Sequence, residues 1–379
     1  MSDALEKANR LVVKIGSALL VDGQSGLRET WLASVAADIA SLMQQGKEII
    51  IVSSGAIAMG SHTLGLKQRP RQLSQAQAAA CIGQIHLLNA YQSAFVQHSK
   101  TIGQLLITLA DLDGRRTYLN ARDTLGTLLA GGIVPIINEN DATATEEIRV
   151  GDNDRLAARV AQMIDADLLV LLSDIDGLYS ANPRKDDNAK HIPLIEAITA
   201  DILSVADGAS DTAMSRGGMR TKLEAGRIAS ACGCQMIVMD GVADHPFRRL
   251  AQGERHSLFL SQASSRLDAK RTWLSGQLGS KGALTIDTGA AAALMKGKSL
   301  LAAGITAASG EISRGDSVMV LAPNGQQIAR GLINYDGAEV SLIKGLKSDD
   351  IEDKLGYTRS QSVIHRDNLV LLHPMDDMQ

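Results

Sequence analysis

Six short aliphatic runs recur along the first 260 residues: Leu11 to Ile15, Glu48 to Ser53, Gln104 to Leu109, Ile133 to Asn138, Leu168 to Ser173 and Gln235 to Met239. Several are apolar at consecutive positions rather than alternate ones, so both faces of each strand must be covered. Between them lie helix-patterned segments at about residues 29–45, 74–98, 115–130, 152–165 and 218–232, several closed by a glycine (Gly46, Gly131, Gly233) suited to a helix C-terminus. Strands and helices in alternation specify an α/β fold, a three-layer sandwich with a mostly parallel central sheet.

Near Leu260 the pattern changes. Ser261 to Ala269 is polar, and beyond it short strands separated by glycine turns predominate, as in Gly282 to Gly289, Asp316 to Leu321 and Gln327 to Arg330. This reads as a small C-terminal β-rich pseudo-barrel of about a hundred residues with one helix near Gly289 to Lys296. A chain of 379 residues exceeds what one hydrophobic core usually serves, in keeping with two domains. The boundaries expected are 1–262 for the α/β domain, 263–272 for a linker and 273–379 for the β-rich domain. Aromatics make up only 3% of the chain, so both cores must be built from aliphatic residues and alanine.

Charge and cysteine content narrow the function classes. A formal net charge of −4 gives no broad basic excess for nucleic acid or an anionic membrane, so any phosphate contact must be local. Three cysteines, Cys81, Cys232 and Cys234, make no paired framework and fit a reducing compartment. Cys232-Gly233-Cys234 reads as a turn between a helix and a buried strand. The polar, acidic N-terminus is unlike a signal peptide and no run is long enough to span a bilayer, so a cytoplasmic protein without a membrane partner is expected. The acidic run Asp349 to Asp353 reads as a solvated helix start.

Walker A is absent, so a P-loop fold has no support. His365-Arg366-Asp367 imitates a protein-kinase catalytic loop without the glycine loop, strand lysine or Asp-Phe-Gly that must accompany it. Other segments carry more chemistry. Lys14 ends an otherwise apolar strand and runs into Gly16-Ser17, where a lysine and free amides would meet a phosphate beyond the strand's carboxyl end; taken alone it reads more simply as a strand-end lysine reaching solvent. Ser53-Ser54-Gly55 opens a helix whose N-terminus suits an anion or, as simply, is capped by serine. Asn138-Glu139-Asn140-Asp141 closes a buried strand and Gly151-Asp152-Asn153-Asp154 opens the next helix, more polar groups than capping requires. Such a collection can bind an ammonium group, and Asp154 can fix two lysines by charge-assisted hydrogen bonds. Ser173-Asp174 leaves another buried strand at a place for a nucleotide or a Mg²⁺-linked water. Gly217-Gly218 starts a helix with Lys222 one turn in, which has the logic of a phosphate site.

In this order the segments resemble the amino acid kinase family over residues 11 to about 260. The motifs Val52 to Ile57, Leu119 to Leu125, Ile137 to Ala142 and Val150 to Asp154 are the most diagnostic. They look like the branch that phosphorylates L-glutamate at its side-chain carboxylate, the first step of proline synthesis. The C-terminal segment is similar to the PUA domain. The resemblance implies transfer of the γ-phosphoryl of ATP, with Mg²⁺ bridging the phosphates. It implies Lys14, Lys222 and Asp154 as the catalytic set, with Asp154 holding both lysines. Ser54, Asp141 and Asn153 would bind glutamate, with Asn138 and Asp152 beside them. Lys14, Gly16, Ser173, Asp174 and the loop Arg216, Gly217, Gly218, Met219, Arg220, Thr221 and Lys222 would bind ATP. Arg216 departs from the family's usual Gly-Thr-Gly-Gly-Met loop. Feedback inhibition by proline and a homo-oligomer are further implications.

Two rival readings stay open at this stage. A kinase of the same fold could act on N-acetylglutamate, aspartate, a carbamate or a nucleoside monophosphate, which only the resemblance disfavours. An RNA-binding protein could work through its C-terminal domain. Residues 276–379 carry ten Lys and Arg against twelve Asp and Glu, with few aromatics for stacking, so strong general RNA affinity is not expected.

Overall fold

The computed structural model describes residues 3–22, 26–66, 68, 70, 72–144, 152–208, 218–262 and 280–372. It divides into two compact units, one of residues 1–113 and 121–266 and the other of 114–120 and 267–379. The linker expected at 263–272 lies outside the described residues.

The first unit is built on one eight-stranded sheet. Its strands are β1 (Arg10–Ile15), β2 (Glu48–Val52), β3 (Ile102–Leu106), β4 (Val134–Asn138), β5 (Leu168–Ser173), β6 (Leu194–Ile195), β7 (Gln235–Asp240) and β8 (His256–Phe259). They lie side by side in the order β6-β8-β7-β5-β1-β2-β4-β3. Neighbours from β7 to β3 are parallel, and only the β7–β8 pair is antiparallel. The helices used below are α1 (Glu29–Gln44), α2 (Ala56–Thr63), α3 (Leu73–Val96), α4 (Arg115–Ala130), α5 (Asp152–Met163), α6 (Gly218–Ala231) and α7 (Pro246–Ala251).

The period of two along a strand decides what lies where. Leu11, Val13 and Ile15 share a core with Trp31, Leu32 and Ile39 of α1, Tyr91 and Phe95 of α3, and Phe247 and Leu250 of α7. The opposite face of β1 is packed by α5, which also packs against α6. The sheet is therefore the middle of three layers. Lys14, out of phase with Val13 and Ile15, falls on the α5 side, and its strand neighbours in register are Val52 and Leu171.

The structure shifts one expected element. The run Gln104 to Leu109 was expected as a strand, but the strand is Ile102–Leu106 and a short helix begins at Leu109. Thr108 donates both its backbone N–H (2.8 Å) and its hydroxyl (2.7 Å) to the Asp111 carboxylate, and Asp111 N–H returns a bond to the hydroxyl, so local capping ends the strand early. The turn at Cys232-Gly233-Cys234 is as read, between α6 and β7, with Gly233 at a φ of +83°. Burial raises both thiols, Cys232 to about 11 and Cys234 well above its ordinary value.

The second unit holds a five-stranded sheet of β9 (Gly282–Ile286), β10 (Ile305–Gly310), β11 (Ser317–Leu321), β12 (Gln327–Leu332) and β13 (Leu369–Leu371), ordered β10-β9-β11-β12-β13. Only β9 and β11 pair in parallel. Its helix α8 (Thr288–Met295) is capped by the Asp287 carboxylate, which accepts from Ala290 N–H at 2.7 Å. The core is aliphatic apart from Tyr335. No helix among the described residues is long and apolar enough to cross a membrane.

Helices α2 and α3 meet backbone to backbone. A Cβ on Gly83 would lie 1.9 Å from the Ala56 carbonyl oxygen, and one on Gly60 would lie 1.8 Å from that of Ala79. Gly83→Ala is therefore expected to destabilise the fold by about 2–3 kcal/mol through overpacking. An unchanged urea midpoint for that variant would show that the two helices separate freely.

Candidate functional site

Lys14, Asp154 and Lys222 converge from three elements. β1 brings Lys14 to the carboxyl edge of the sheet, while Asp154 sits in the first turn of α5 and Lys222 one turn into α6. Asp154 stands between the lysines, its Oδ1 2.7 Å from Lys14 Nζ and its Oδ2 3.3 Å from Lys222 Nζ. Thr221 donates its hydroxyl to the same Oδ2 at 2.9 Å, and Lys222 also donates to the Gly218 carbonyl at 3.2 Å. The lysines are each 8% exposed and Asp154 only 1%.

The electrostatics follow from this burial. Desolvation by itself would raise the Asp154 carboxyl, but Lys14 and Lys222 more than offset it and hold the group at about 2. Lys14 moves the other way. Burial lowers it, Asp154 pulls it back up, and the second cation at Lys222 pushes it down again. Within the triad one buried positive charge is in excess, the condition under which an anion is the natural fourth partner.

Gly16, next along from Lys14, is extended at φ −71° and ψ 150°, so its backbone does not require glycine. A Cβ there would face the Lys14 ammonium at 3.8 Å. Gly55 is different: it occupies the left-handed region at φ +95° as the N-cap of α2, with no side-chain cap. The serine-capping reading of Ser54 therefore does not hold. Its hydroxyl accepts instead from Asn153 Nδ2 at 2.9 Å, tying the β2–α2 loop to the start of α5. The other end of that carboxamide, Asn153 Oδ1, is buried without a hydrogen-bond partner among the described residues.

Asn138, at the end of β4 and 1% exposed, accepts from Glu139 N–H through Oδ1 (2.9 Å) and donates through Nδ2 to Gln84 Oε1 of α3 (2.7 Å). Asp141 lies half-buried in the turn that follows. Asp152 is the first residue of α5. Ser173 and Asp174 leave β5 next to β1, the serine hydroxyl 3.3 Å from the Asp174 carboxylate. Burial would raise Asp174, but hydrogen bonding and attraction from Arg184, at 3.0 Å, with a further pull from Lys222, keep it below its ordinary value. Met219 is half-buried, while Gly218 and Arg220 are exposed, the latter 3.5 Å from Glu224 on its own helix. Arg216 and Gly217 lie outside the described residues.

Sequence reading missed Gln84, Tyr91 and Arg184. Tyr91 is fully buried and donates to Ser53 Oγ at 3.1 Å. A signal for two of the three existed in the chain: Gln77, Gln84 and Tyr91 recur every seven residues and so share a face of α3.

The model of the amino acid kinase family matches residues 9–240 and that of the PUA domain matches residues 282–355. Among curated proteins, the chain is 53% identical to glutamate 5-kinase 1 of Mesorhizobium japonicum over 375 residues, 99% of each chain. It is 52% identical to glutamate 5-kinase of Brucella anthropi, over 98% of each chain. It is 51% identical to glutamate 5-kinase 1 of Rhizobium meliloti, over 98% of this chain and 94% of that one.

Removing the central carboxylate leaves two buried ammonium groups unpaired. Asp154→Asn is expected to destabilise the protein by about 3 kcal/mol in urea unfolding near neutral pH. Because the folded carboxyl is held at about 2 against an ordinary 3.8, this contribution is complete above the unfolded value. It fades as pH falls through the folded one. A difference between wild type and variant that grew on acidification would contradict this sign.

Proposed function

The chain belongs to the amino acid kinase family, and we propose that it is an ATP-dependent kinase whose acceptor is the side-chain carboxylate of L-glutamate, giving L-glutamyl 5-phosphate and ADP. The observation that carries the reading is the Lys14–Asp154–Lys222 triad, a buried, net-positive site held on a rigid sheet edge beside the polar pair Ser54–Asn153. Kinship at 51–53% identity over nearly the whole chain supports glutamate as the acceptor.

Phosphoryl transfer between ATP and a carboxylate needs no protein nucleophile. The acceptor is ionised at neutral pH, and one of its oxygens attacks the γ-phosphorus in line as the bond to the ADP oxygen breaks. What the protein supplies is position and charge. Lys14 and Lys222 neutralise the oxygens of the moving group, and Asp154 with Thr221 keeps both ammonium groups aimed before the substrates arrive. Asn153 offers its carboxamide oxygen, unpartnered among the described residues, to the glutamate ammonium, with Ser54, Asn138, Asp141 and Asp152 completing that side. Ser173, Asp174, Gly16 and the loop from Arg216 to Lys222 take the nucleotide.

Mg²⁺ fits this donor set as an ion carried on ATP. It prefers phosphate oxygens with one or two carboxylates, and no group of three His, Cys, Asp or Glu among the described residues is placed to hold a metal by itself. Asp174 is the carboxylate that would reach its hydration shell, and the ion would add further neutralisation of the phosphates. Feedback inhibition by proline and assembly of identical subunits belong to the same reading. So does an accessory, non-catalytic role for the C-terminal unit, with 273–379 as its extent and 1–262 as the kinase domain.

Hydroxylamine traps an acyl phosphate as a hydroxamate. Glutamate with ATP is expected to give the largest yield; a larger one from aspartate or N-acetylglutamate would reassign the acceptor. Lys222→Ala is expected to lower kcat by about 10²–10³ with the fold intact by circular dichroism, because it removes charge stabilisation that acts in the transition state. Retained turnover would dissolve the phosphate-grip assignment.

A further inference from the structure

The 24-residue helix α3 runs behind the acceptor side, and three polar side chains spaced by seven residues reach from it to three different segments of that side. Gln77 Nε2 donates to the Ala144 carbonyl at 3.2 Å, Gln84 Oε1 accepts from Asn138 Nδ2 at 2.7 Å, and Tyr91 donates to Ser53 Oγ at 3.1 Å. Seven residues are nearly two turns, so the three contacts form a straight row with steps of about 10 Å. The buried residues of α3 are otherwise alanines, glycine, leucine and phenylalanine. The row therefore does not follow from a generally polar helix. Since Gly60 and Gly83 hold α2 directly against α3, the loop that starts α2 shares the same support.

We propose that Gln84 is a positioning residue for the phosphoryl acceptor, acting through Asn138. The proposal rests on the reading of Asn138 as part of the glutamate site. A primary carboxamide has two N–H donors and an oxygen with two lone pairs. In Asn138 one lone pair takes Glu139 N–H and one N–H goes to Gln84, which leaves, among the described residues, one donor and one acceptor in a fixed direction. The terminal torsion of asparagine is broad and two-fold, so without Gln84 only the bond from Glu139 N–H resists rotation of the group. An oriented carboxamide helps bind the acceptor equally before and in the transition state, and uniform binding of that kind appears in KM rather than kcat.

The test uses the full-length enzyme with glutamate and ATP, comparing Gln84→Met, Asn138→Ala and the double variant by steady-state kinetics. Gln84→Met is expected to raise KM for glutamate about tenfold, the loss of one hydrogen bond to an oriented group, while kcat and KM for ATP stay within about twofold. In the Asn138→Ala background the same substitution is expected to add less than about twofold, because Gln84 has nothing left to orient. Equal effects in both backgrounds, or a fall in kcat with KM unchanged, would overturn the proposal. Gln84→Ala is measured in parallel, so that a folding defect of one side chain does not decide the result. Absence of glutamate-dependent hydroxamate from the wild-type chain would instead remove the substrate reading beneath it, an outcome told apart by the wild-type arm alone.

Discussion

Two lysines buried against one aspartate are the constraint on which the rest of the structure depends. Taking an ammonium group out of water costs several kcal/mol even after relaxation, and here there are two, with a single carboxylate between them. That arrangement survives only where neighbouring elements over-determine it. β1 is flanked on both sides by parallel strands, α5 and α6 pack on one another, and Thr221 fastens the carboxylate at the α6 end. A preorganised cation pair is also what phosphoryl transfer to a carboxylate requires, since the reaction moves negative charge and asks for little covalent chemistry from the protein.

The side proposed for the acceptor is held by different physics. There the supports are neutral hydrogen bonds and close backbone packing rather than ion pairs. Asn153 at the start of α5 joins Ser54 in the β2–α2 loop, Asn138 is oriented by Gln84, and Tyr91 braces Ser53 from the core, where burial raises its phenol and keeps it a donor. The PUA domain differs in fold and has its own aliphatic core.

How legible this was in the chain varied with the range of the interaction. Doubly apolar runs gave the parallel sheet because a covered strand has no solvent face to mark. Lys14 and Gly218 to Lys222 stood out because polar groups at the ends of buried elements are conspicuous. Ser54 was ambiguous between cap and ligand, and Gly55 at φ +95° decided against the cap. The strand at Gln104 was misplaced because capping between Thr108 and Asp111 outweighed apolar pattern. Gln84 and Tyr91 were passed over because their seven-residue spacing reads as an ordinary helix face until something is seen across from it.

By itself the sequence determined the α/β class, the change of architecture near residue 260 and the family, since periodicity and local motifs are written in consecutive residues. Only the tertiary structure decided that Asp154 lies within hydrogen-bond reach of both lysines, that Asn153 turns to Ser54, and that α3 reaches Ser53, Asn138 and Ala144. Those pairs are separated by 54 to 140 residues along the chain in the case of Asn138 with Gln84 and Lys14 with Asp154. Which side chains meet over such spans depends on strand order and helix packing, and neither is encoded at any single position.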